Sequence, residues 1–274
     1  MLDNPRSPKV RGVAKLAKRD ARSETGLFLL EGPQAVAEAL AFRPELLVEL
    51  FATPTALERY AGLAEAATAA DLEVQFCTEE VIDSMANTVT PQGVIAVCRQ
   101  FPVSVKDILR AGADGDSPKL VVILEEVRDP GNAGTIIRAA DAAGADGVIL
   151  TGRSVDLYNP KVVRATTGSI FHLPVATGVE LEPVLERARA AGLQVLAADI
   201  KGGDLLEARR AGVLDRPTAW LFGNEARGLT EENLAAADRA ITVPIYGSAE
   251  SMNLATAAAV CLYESAFAQR MQVE

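Results

Sequence analysis

Polar residues in two glycine-containing loops are the part of this chain best suited to bind and orient a ligand. Glu225 lies in the turn after the apolar residues 219–222, and Ser251 and Asn253 come just before an alanine-rich segment. Loops at the ends of hydrophobic strands are where α/β proteins usually hold ligands, and glycines let the backbone approach closely. We expect the Glu225 carboxylate to be buried. Taken one at a time, these residues are more typical of turns and helix caps than of catalysis.

A second group of candidates follows another apolar run. Residues 125–138 read E-E-V-R-D-P-G-N-A-G-T-I-I-R, which predicts a strand, a turn and a helix but lacks the G-x-G-x-x-G pattern and a P-loop lysine. Asn132 is a suitable N-cap for that helix. Arg138 follows two isoleucines, and a guanidinium among apolar groups is costly unless it reaches a polar site. The alternative is a local ion pair, for instance with Asp141 or Glu125.

Residues 159–169 predict a short helix with two cations. Lys161 and Arg164 fall in its first turns, where a phosphate or another anionic group is a suitable ligand. A capped helix with solvated cations accounts for the pattern equally well.

Positive charge is concentrated at the N-terminus of an otherwise acidic chain. The net charge of −10 by itself argues against a nucleic-acid partner, but residues 1–22 contain seven Lys or Arg and only two Asp. Arg11, Lys15, Lys18 and Arg22 recur at the spacing of one helix face, which predicts a positive stripe that binds nucleic acid. An ordinary solvated helix face explains the same spacing.

The Cys and His content argues against metal and disulfide chemistry. Cys77, Cys98 and Cys261 have no CxxC spacing, which predicts reduced thiols and no metal site. The single histidine, His172, is interpreted as a structural strand residue. The sequence shows no signal peptide and no apolar run of the ~20 residues that a membrane span needs, so we predict a cytoplasmic protein without a membrane partner.

Alternating helices and strands predict an α/β protein with two domains. An αβ unit covers residues 1–103, and the turn-rich residues 104–118 are predicted to form a linker. In residues 119–274, strands alternate with helices, which predicts a mostly parallel sheet covered on both faces. Three further elements are predicted from the pattern: one helix over residues 54–70, a strand over 171–175 and a final helix from Met252.

In combination, three segments resemble the SpoU/TrmH family of RNA ribose 2′-O-methyltransferases, in the SPOUT superfamily. They are N-x5-R at residues 132–138, L-F-G-N-E-x-x-G-L at 221–229, and V-P-I…S-M-N-L-A-x-A-A-A at 243–259. This resemblance covers roughly residues 119–274. The N-terminal part is similar to the L30e-like substrate-binding domain that is often attached to this family, on the basis of residues 15–32 and the T-P-Q-G-V segment at 90–94.

The resemblance implies a methyltransferase domain with a deep trefoil knot at its C-terminal end. Loops 222–230 and 245–253 would form the knot, with the final helix threaded through it. It implies that S-adenosylmethionine binds in the knot, largely through backbone groups, and that the protein is a homodimer through this domain. The pocket would be formed by Leu221, Gly223, Ile245, Met252 and Leu254.

The resemblance also implies roles for the polar candidates. Arg138 would act on the ribose hydroxyl, Glu225 and Asn132 would orient Arg138 and the ribose, and Ser251 and Asn253 would hold the loop and substrate. A guanidinium is a poor base because its pKa exceeds ~12, so we expect Arg138 to stabilise the developing alkoxide. The residues expected to contact RNA are Arg11, Lys15, Lys18, Arg22, Lys161 and Arg164.

The attached L30e-like domain favours ribosomal RNA, most simply 23S rRNA, as the substrate. Three alternatives stay open: the same reaction on tRNA, a knotted RNA-binding protein without catalysis, and a nucleotide-dependent oxidoreductase on a Rossmann sheet. The intact set of polar candidates argues against the second alternative, and the missing glycine fingerprint argues against the third.

Overall fold

The structure is a computed structural model that describes residues 1–110 and 117–270 of the 274-residue chain. Part of the predicted linker 104–118 is a helix, Val105–Ile108, which begins with a capping box formed by Ser104 and Asp107. Residues 111–116 of that predicted linker lie outside the described residues.

The helices of the described residues are numbered α1 to α13 in chain order. They span Pro8–Lys15, Arg19–Thr25, Pro33–Phe42, Pro54–Arg59, Gly62–Ala69, Glu79–Met85, Val105–Ile108, Pro130–Ala143, Pro160–Thr166, Leu181–Ala190, Leu205–Arg210, Glu231–Ala235 and Leu254–Arg270. Short 3-10 helices span Pro44–Leu46 and Ser169–Phe171. Within this described part of the chain, no helix has both the length and the apolar character that a membrane crossing requires.

The strands are numbered β1 to β10 in the same way. They span Leu27–Glu31, Leu47–Ala52, Val74–Phe76, Val94–Arg99, Leu120–Glu125, Gly147–Thr151, Val175–Val179, Gln194–Asp204, Thr218–Phe222 and Arg239–Thr242.

The first of two compact units contains Met1–Phe101 together with Asp156–His172. Its sheet has the strand order β1-β4-β2-β3, in which β4 runs antiparallel to β1 and β2 while β3 runs parallel to β2. The sequence-based division assigns residues 156–172 to the C-terminal domain, whereas here they pack with the first unit. Tyr158 illustrates why, because its ring lies 4.8 Å from the Phe28 ring and its hydroxyl accepts the Phe101 N–H at 2.7 Å.

The N-terminal basic segment forms two helices, so the prediction of one continuous helical stripe is wrong. Helices α1 and α2 are separated by a turn that ends at Lys18, which has an extended backbone. The Arg22 guanidinium holds this turn: it donates to the carbonyl oxygens of Leu16 and Ala17 at 2.9 Å each and to Asp156 Oδ2 at 3.0 Å. Spacing alone predicts continuous helix, but these contacts stabilise the break.

The second unit contains Pro102–Val155 and the chain from Leu173 onward. Its six-stranded sheet has the order β10-β8-β9-β5-β6-β7, and all neighbouring strands run parallel. Strand β9 is buried along its whole length, as expected for a strand covered on both faces. The predicted parallel α/β sheet is therefore confirmed. Helix α13 packs against β9, where the buried Trp220 Nε1 donates to Ser265 Oγ at 2.9 Å.

Three predicted elements differ from the structure. The helix over residues 54–70 is interrupted at Tyr60, whose backbone leaves the helical region. The strand predicted over 171–175 begins only at Val175, after a 3-10 helix and Pro174, which has no N–H to donate. His172 therefore ends the 3-10 helix instead of lying in a strand, and its Nε2 is 3.1 Å from Glu38 Oε2. The final helix begins at Leu254, two residues later than predicted.

The three cysteines are buried free thiols, in agreement with the predicted reduced state. Burial raises the pKa of Cys77 to about 11 and that of Cys261 to about 12, and it raises the pKa of Cys98 still further. A thiol is nucleophilic only as the thiolate. These cysteines are thus core residues at neutral pH.

Candidate active site

Three of the predicted catalytic residues meet in one hydrogen-bonded chain within the second unit. Glu225 Oε1 accepts from Asn132 Nδ2 at 3.4 Å, and Asn132 Oδ1 accepts from Asn253 Nδ2 at 2.9 Å. We call Asn132, Glu225 and Asn253 the amide–carboxylate network. Because both ends of the Asn132 amide have partners, its orientation is fixed.

The parallel sheet explains how residues so distant in sequence come together. Strands β5 and β9 are neighbours, and Leu124 pairs with Phe222 at their carboxyl ends. The loops that follow the two strands therefore start side by side. Asn253 enters from a third segment, and its Oδ1 accepts the N–H groups of Ala255 and Thr256 at 2.9 and 3.2 Å. It thereby caps α13 while its amide nitrogen reaches Asn132.

The Glu225 carboxylate is held by backbone N–H groups. Its Oε1 accepts from the Asp129 N–H at 2.9 Å, and its Oε2 accepts from the Arg128 N–H at 3.2 Å. Glu225 is exposed, so the expectation of a buried carboxylate is wrong. The loop before α8 satisfies the charge at the protein surface, where an anion near a helix N-terminus is favourable.

Asp129, and not Asn132, caps helix α8. Asp129 Oδ1 accepts the Asn132 N–H at 2.8 Å, and Pro130 occupies the first helical turn. An Asp followed by Pro is itself a helix-start pattern, and it is the better signal in this segment. The predicted N-cap role of Asn132 is therefore wrong, and its side chain instead joins the network.

Arg138 lies on the exposed side of α8, whereas its neighbours Ile136 and Ile137 are fully buried. The expectation of a guanidinium enclosed by apolar groups is wrong, because successive residues on a helix point in different directions. Among the described residues, no hydrogen bond joins Arg138 to the amide–carboxylate network.

Gly223 permits the sharp turn that carries Glu225. A Cβ at this position would lie 2.5 Å from the carbonyl carbon of Gly228 and 2.6 Å from the Leu229 nitrogen. The backbone therefore folds back on itself more closely than any other residue type allows. Of the other residues predicted to bind the cofactor, Leu221 is buried, Met252 and Leu254 are half-buried, and Ile245 is 37% exposed.

Residues 243–253 contain neither helix nor strand. Within this segment Ser251 is exposed, and no partner for its hydroxyl is found in residues 1–110 and 117–270. The structure therefore brings Asn132, Glu225 and Asn253 together but does not join Ser251 to them.

The cations predicted to bind RNA differ in their surroundings within the first unit. Residues Arg11, Lys15, Lys18 and Lys161 are exposed. Arg22 is only 3% exposed and is paired with Asp156. Its donors serve the turn between α1 and α2, which argues against the predicted RNA contact.

Arg164 is half-buried and paired with a nearly buried carboxylate. Its Nη1 donates to Glu31 Oε1 at 2.5 Å, and Glu31 Oε2 accepts the N–H groups of Asn87 and Thr88 at 2.9 and 3.1 Å. Glu31 and Arg164 also line a cavity of about 240 Å³ together with Thr90 and other polar residues. Arg164 thus has a defined geometry, unlike a solvated surface cation.

Two family models match the two parts of this chain. Residues 119–263 match the SpoU rRNA Methylase family, and residues 29–103 match the RNA 2′-O ribose methyltransferase substrate binding family. The chain belongs to the SpoU rRNA methylase family. The resemblance seen in its sequence motifs is thereby confirmed.

Similarity of this SpoU-family chain to known proteins extends over nearly its whole length. It is 31% identical over 270 residues to the 23S rRNA (guanosine(2553)-2′-O)-methyltransferase RlmP of Bacillus subtilis, covering 96% of this chain and 97% of RlmP. It is 32% identical over 260 residues to the 23S rRNA (uridine(2479)-2′-O)-methyltransferase of Streptomyces viridochromogenes, covering 92% of this chain and 86% of that protein.

Solved structures of the SpoU family agree with this fold. An AdoMet-bound rRNA methyltransferase from Sinorhizobium meliloti has a TM-score of 0.81 and 33% identity, with 96% of each chain covered. The SpoU methyltransferase AviRb from Streptomyces viridochromogenes in complex with AdoMet has a TM-score of 0.80 and 27% identity, covering 97% of this chain and 99% of AviRb. The predicted enzyme class, an RNA ribose 2′-O-methyltransferase, is confirmed at the level of the family.

Two residues that hold this SpoU-family site together did not stand out in the sequence. Asn224 Oδ1 accepts the N–H groups of Ala226 and Arg227 at 3.0 and 3.2 Å, and its Nδ2 donates to the Glu126 carbonyl oxygen at 2.9 Å. Asn is common in turns, so its pattern was ambiguous. Glu126 has a φ of +50°, a conformation that nothing in a glutamate's local sequence indicates.

Proposed function

We propose that this protein transfers a methyl group from S-adenosylmethionine to a ribose 2′-hydroxyl of 23S ribosomal RNA. The amide–carboxylate network carries the proposal, because it gathers polar groups from three segments at the strand ends of a SpoU-family domain. Full-length similarity to two proteins named as 23S rRNA 2′-O-methyltransferases supports this choice of RNA. A ribosomal RNA substrate also implies that the protein acts in the cytoplasm.

The residues around Gly223 and the irregular segment 243–253 fit S-adenosylmethionine. The segment leaves backbone N–H and C=O groups outside regular structure, and the side chains of Leu221, Ile245, Met252 and Leu254 would supply an apolar lining. Neutral apolar walls with a few backbone donors and acceptors suit an adenine ring. When bound, S-adenosylmethionine supplies an electrophilic methyl group.

In this proposal the chain itself positions the ribose and stabilises charge. The network would orient the ribose, and Arg138 would stabilise the negative charge that develops on the 2′-oxygen as its proton passes to water. The guanidinium remains protonated because its pKa exceeds ~12, so it acts as a donor and not as a base. Its exposed position on α8 leaves it accessible to a large substrate.

We further infer that the first unit is an L30e-like domain that binds the RNA. The match of residues 29–103 to a substrate-binding family supports this role, and the exposed Arg11, Lys15, Lys18 and Lys161 supply positive charge. Affinity that rests on phosphate contacts falls steeply with salt. Deleting residues 1–100 is expected to lower RNA affinity much more than cofactor affinity.

We infer that the protein is a homodimer and that its C-terminal region is knotted. Helix α13 carries the exposed aromatic side chains Tyr263 and Phe267, whose ring centroids are 5.5 Å apart. Neighbouring exposed aromatic groups are typical of a protein interface. The family resemblance implies the knot, and the tight approach of Gly223 to Gly228 and Leu229 leaves the backbone crowded in one of the two loops that would form it.

The test is methyl transfer from tritiated S-adenosylmethionine to unmodified transcripts of 23S rRNA, 16S rRNA and tRNA. Label in 23S rRNA, recovered as an alkali-resistant dinucleotide, is the expected result. Label in tRNA alone would contradict the proposed substrate and favour the tRNA alternative. No transfer to any of the three RNAs, with cofactor binding intact, would contradict the proposed activity.

A further inference from the structure

Glu126 holds two exposed arginines at the surface of the second unit. Arg128 Nη2 lies 3.6 Å from Glu126 Oε2, and Arg227 Nη2 donates to the same oxygen. The Arg128 side chain is 55% exposed and the Arg227 side chain 64% exposed, whereas Glu126 is 25% exposed. One partly buried carboxylate thus aligns two guanidinium groups that face solvent.

The backbone of Glu126 adopts an uncommon conformation to do this. Its φ is +50°, in the left-handed region that glutamate rarely occupies. The conformation is held from both sides: the Glu126 N–H donates to the Thr151 carbonyl at 3.3 Å, and the Glu126 carbonyl accepts from Asn224 Nδ2 at 2.9 Å. Strained residues that their surroundings hold in this way concentrate at functional sites.

The two arginines lie next to the amide–carboxylate network in the same two loops. The Arg128 backbone N–H donates to Glu225 Oε2, and Arg227 follows Glu225 by two residues. The other carboxylates here, Glu225 and Asp129, accept backbone N–H groups of the loop and of helix α8. Each guanidinium therefore keeps N–H donors beyond its contact with Glu126 that a ligand can accept.

We propose that Arg128 and Arg227, aligned by Glu126, bind backbone phosphates of the RNA beside the target ribose. This inference rests on the proposed RNA methyltransferase function. A guanidinium has five N–H donors in a planar fork that matches phosphate, and the ion pair with Glu126 engages only part of each fork. Arg128 and Arg227 carry two positive charges and Glu126 one negative charge, so one positive charge is not balanced by this carboxylate.

The test compares Arg128→Gln, Arg227→Gln and the double variant with wild type. Arg187→Gln is the matched control, because Arg187 is exposed on α10, outside both loops. RNA affinity is measured by filter binding to an unmodified 23S rRNA transcript over a series of KCl concentrations. The KM for the transcript, kcat and the Kd for S-adenosylmethionine are measured on the same proteins.

Each Arg→Gln change is expected to reduce the slope of log K against log salt by about 1, and to raise the KM for RNA about tenfold. The Kd for S-adenosylmethionine and kcat should stay at the wild-type value. Glu126→Gly tests alignment, since glycine adopts a positive φ without strain. The Glu126→Gly variant should have the wild-type salt slope, because both arginines remain. Its KM for RNA should be higher, because the arginines are no longer aligned.

A double variant with the wild-type salt slope and KM would overturn this inference, and wild-type methylation in the same assay would leave the proposed function intact. A weakened Kd for S-adenosylmethionine would also overturn it, because the arginines would then bind the cofactor's carboxylate. The salt slope is measured without turnover. Failure of the wild-type protein to methylate RNA would therefore count against the proposed function alone, while the slopes still decide the role of the arginines.

Discussion

At the scale of single residues, Asn132 links two loops that are far apart in sequence. It accepts from Asn253 and donates to Glu225, and an asparagine can do both because its amide carries an acceptor and donors on separate atoms. An aspartate at this position would offer only acceptors when ionised and would face the Glu225 carboxylate. The chemistry of the network therefore requires the amide.

Replacing Arg138 with Ala is expected to lower kcat about 10²- to 10³-fold, because it removes a donor that stabilises charge only as the reaction proceeds. The Kd for S-adenosylmethionine should not change. The measurement is steady-state methylation of a 23S rRNA transcript, with Arg187→Ala as an exposed helical control. Wild-type kcat in the Arg138 variant would exclude its proposed role.

At the scale of elements, the carboxyl ends of β5 and β9 place two loops beside each other, and small residues decide how closely the backbone packs there. Gly223 and Arg22 show two ways in which a single residue determines the local course of the backbone. Gly223 has no Cβ to obstruct the turn, whereas Arg22 satisfies two carbonyl oxygens at a helix break.

Gly223→Ala is expected to destabilise the protein by about 1–3 kcal/mol, because the added Cβ meets backbone that has no room to shift. It should also weaken binding of S-adenosylmethionine. Gly62→Ala is the control, since a Cβ there meets no atom within 4 Å and Gly62 lies outside the residues proposed to bind the cofactor. Urea unfolding and calorimetric cofactor titration report the two effects. Equal stability of the two variants would contradict the packing argument.

Arg22→Met is expected to lower the free energy of unfolding by about 3 kcal/mol, because it leaves Asp156 and two backbone carbonyls without their partner. The salt slope of RNA binding should remain at the wild-type value. Arg19→Met, which changes an exposed cation in the same helix, should have little effect on unfolding by urea. A reduced salt slope in the Arg22 variant would mean that this arginine does contact RNA.

At the scale of the whole molecule, an acidic chain with a net charge of −10 would bind a polyanion through local groups of cations. Overall charge describes the long-range field, whereas phosphate contacts depend on where individual guanidinium and ammonium groups lie. Self-association likewise depends on where exposed apolar groups form a patch and not on overall composition.

Phe267→Glu is expected to convert the proposed dimer to a monomer, because it places a charge in an aromatic interface. Light scattering coupled to size-exclusion chromatography measures the mass directly, against 28.9 kDa for one chain. Phe42→Glu, at an exposed aromatic residue of the first unit, is the control. A wild-type protein that elutes at the mass of one chain would contradict the dimer.

Stability is expected to decline above pH 9. Burial raises the pKa of Cys77 to about 11 and that of Cys261 to about 12, from an ordinary 9.0, so the folded chain keeps protons that the unfolded chain loses. Below pH 9 both states are protonated and this contribution is complete; it is lost as pH rises from about 9 through 11 and 12. Urea unfolding between pH 8 and 11 measures it. A Cys77→Ala, Cys261→Ala variant should show a shallower decline.

The sequence by itself determined the family, the parallel α/β architecture and most of the network. Hydrophobic runs of strand length, glycine turns and the short motifs that contain Asn132, Glu225 and Asn253 are each local features. Local periodicity and turn chemistry are sufficient for such features.

Only the tertiary structure decided which groups those residues contact. The spacing of Arg22 predicts an exposed position on a helix face. In the structure its guanidinium is instead paired with Asp156, 134 residues away, since residues 156–172 pack with the first unit. The left-handed Glu126 depends on Asn224, 98 residues further along the chain. Burial and strain of this kind come from long-range contacts, and those exist only once distant segments have met.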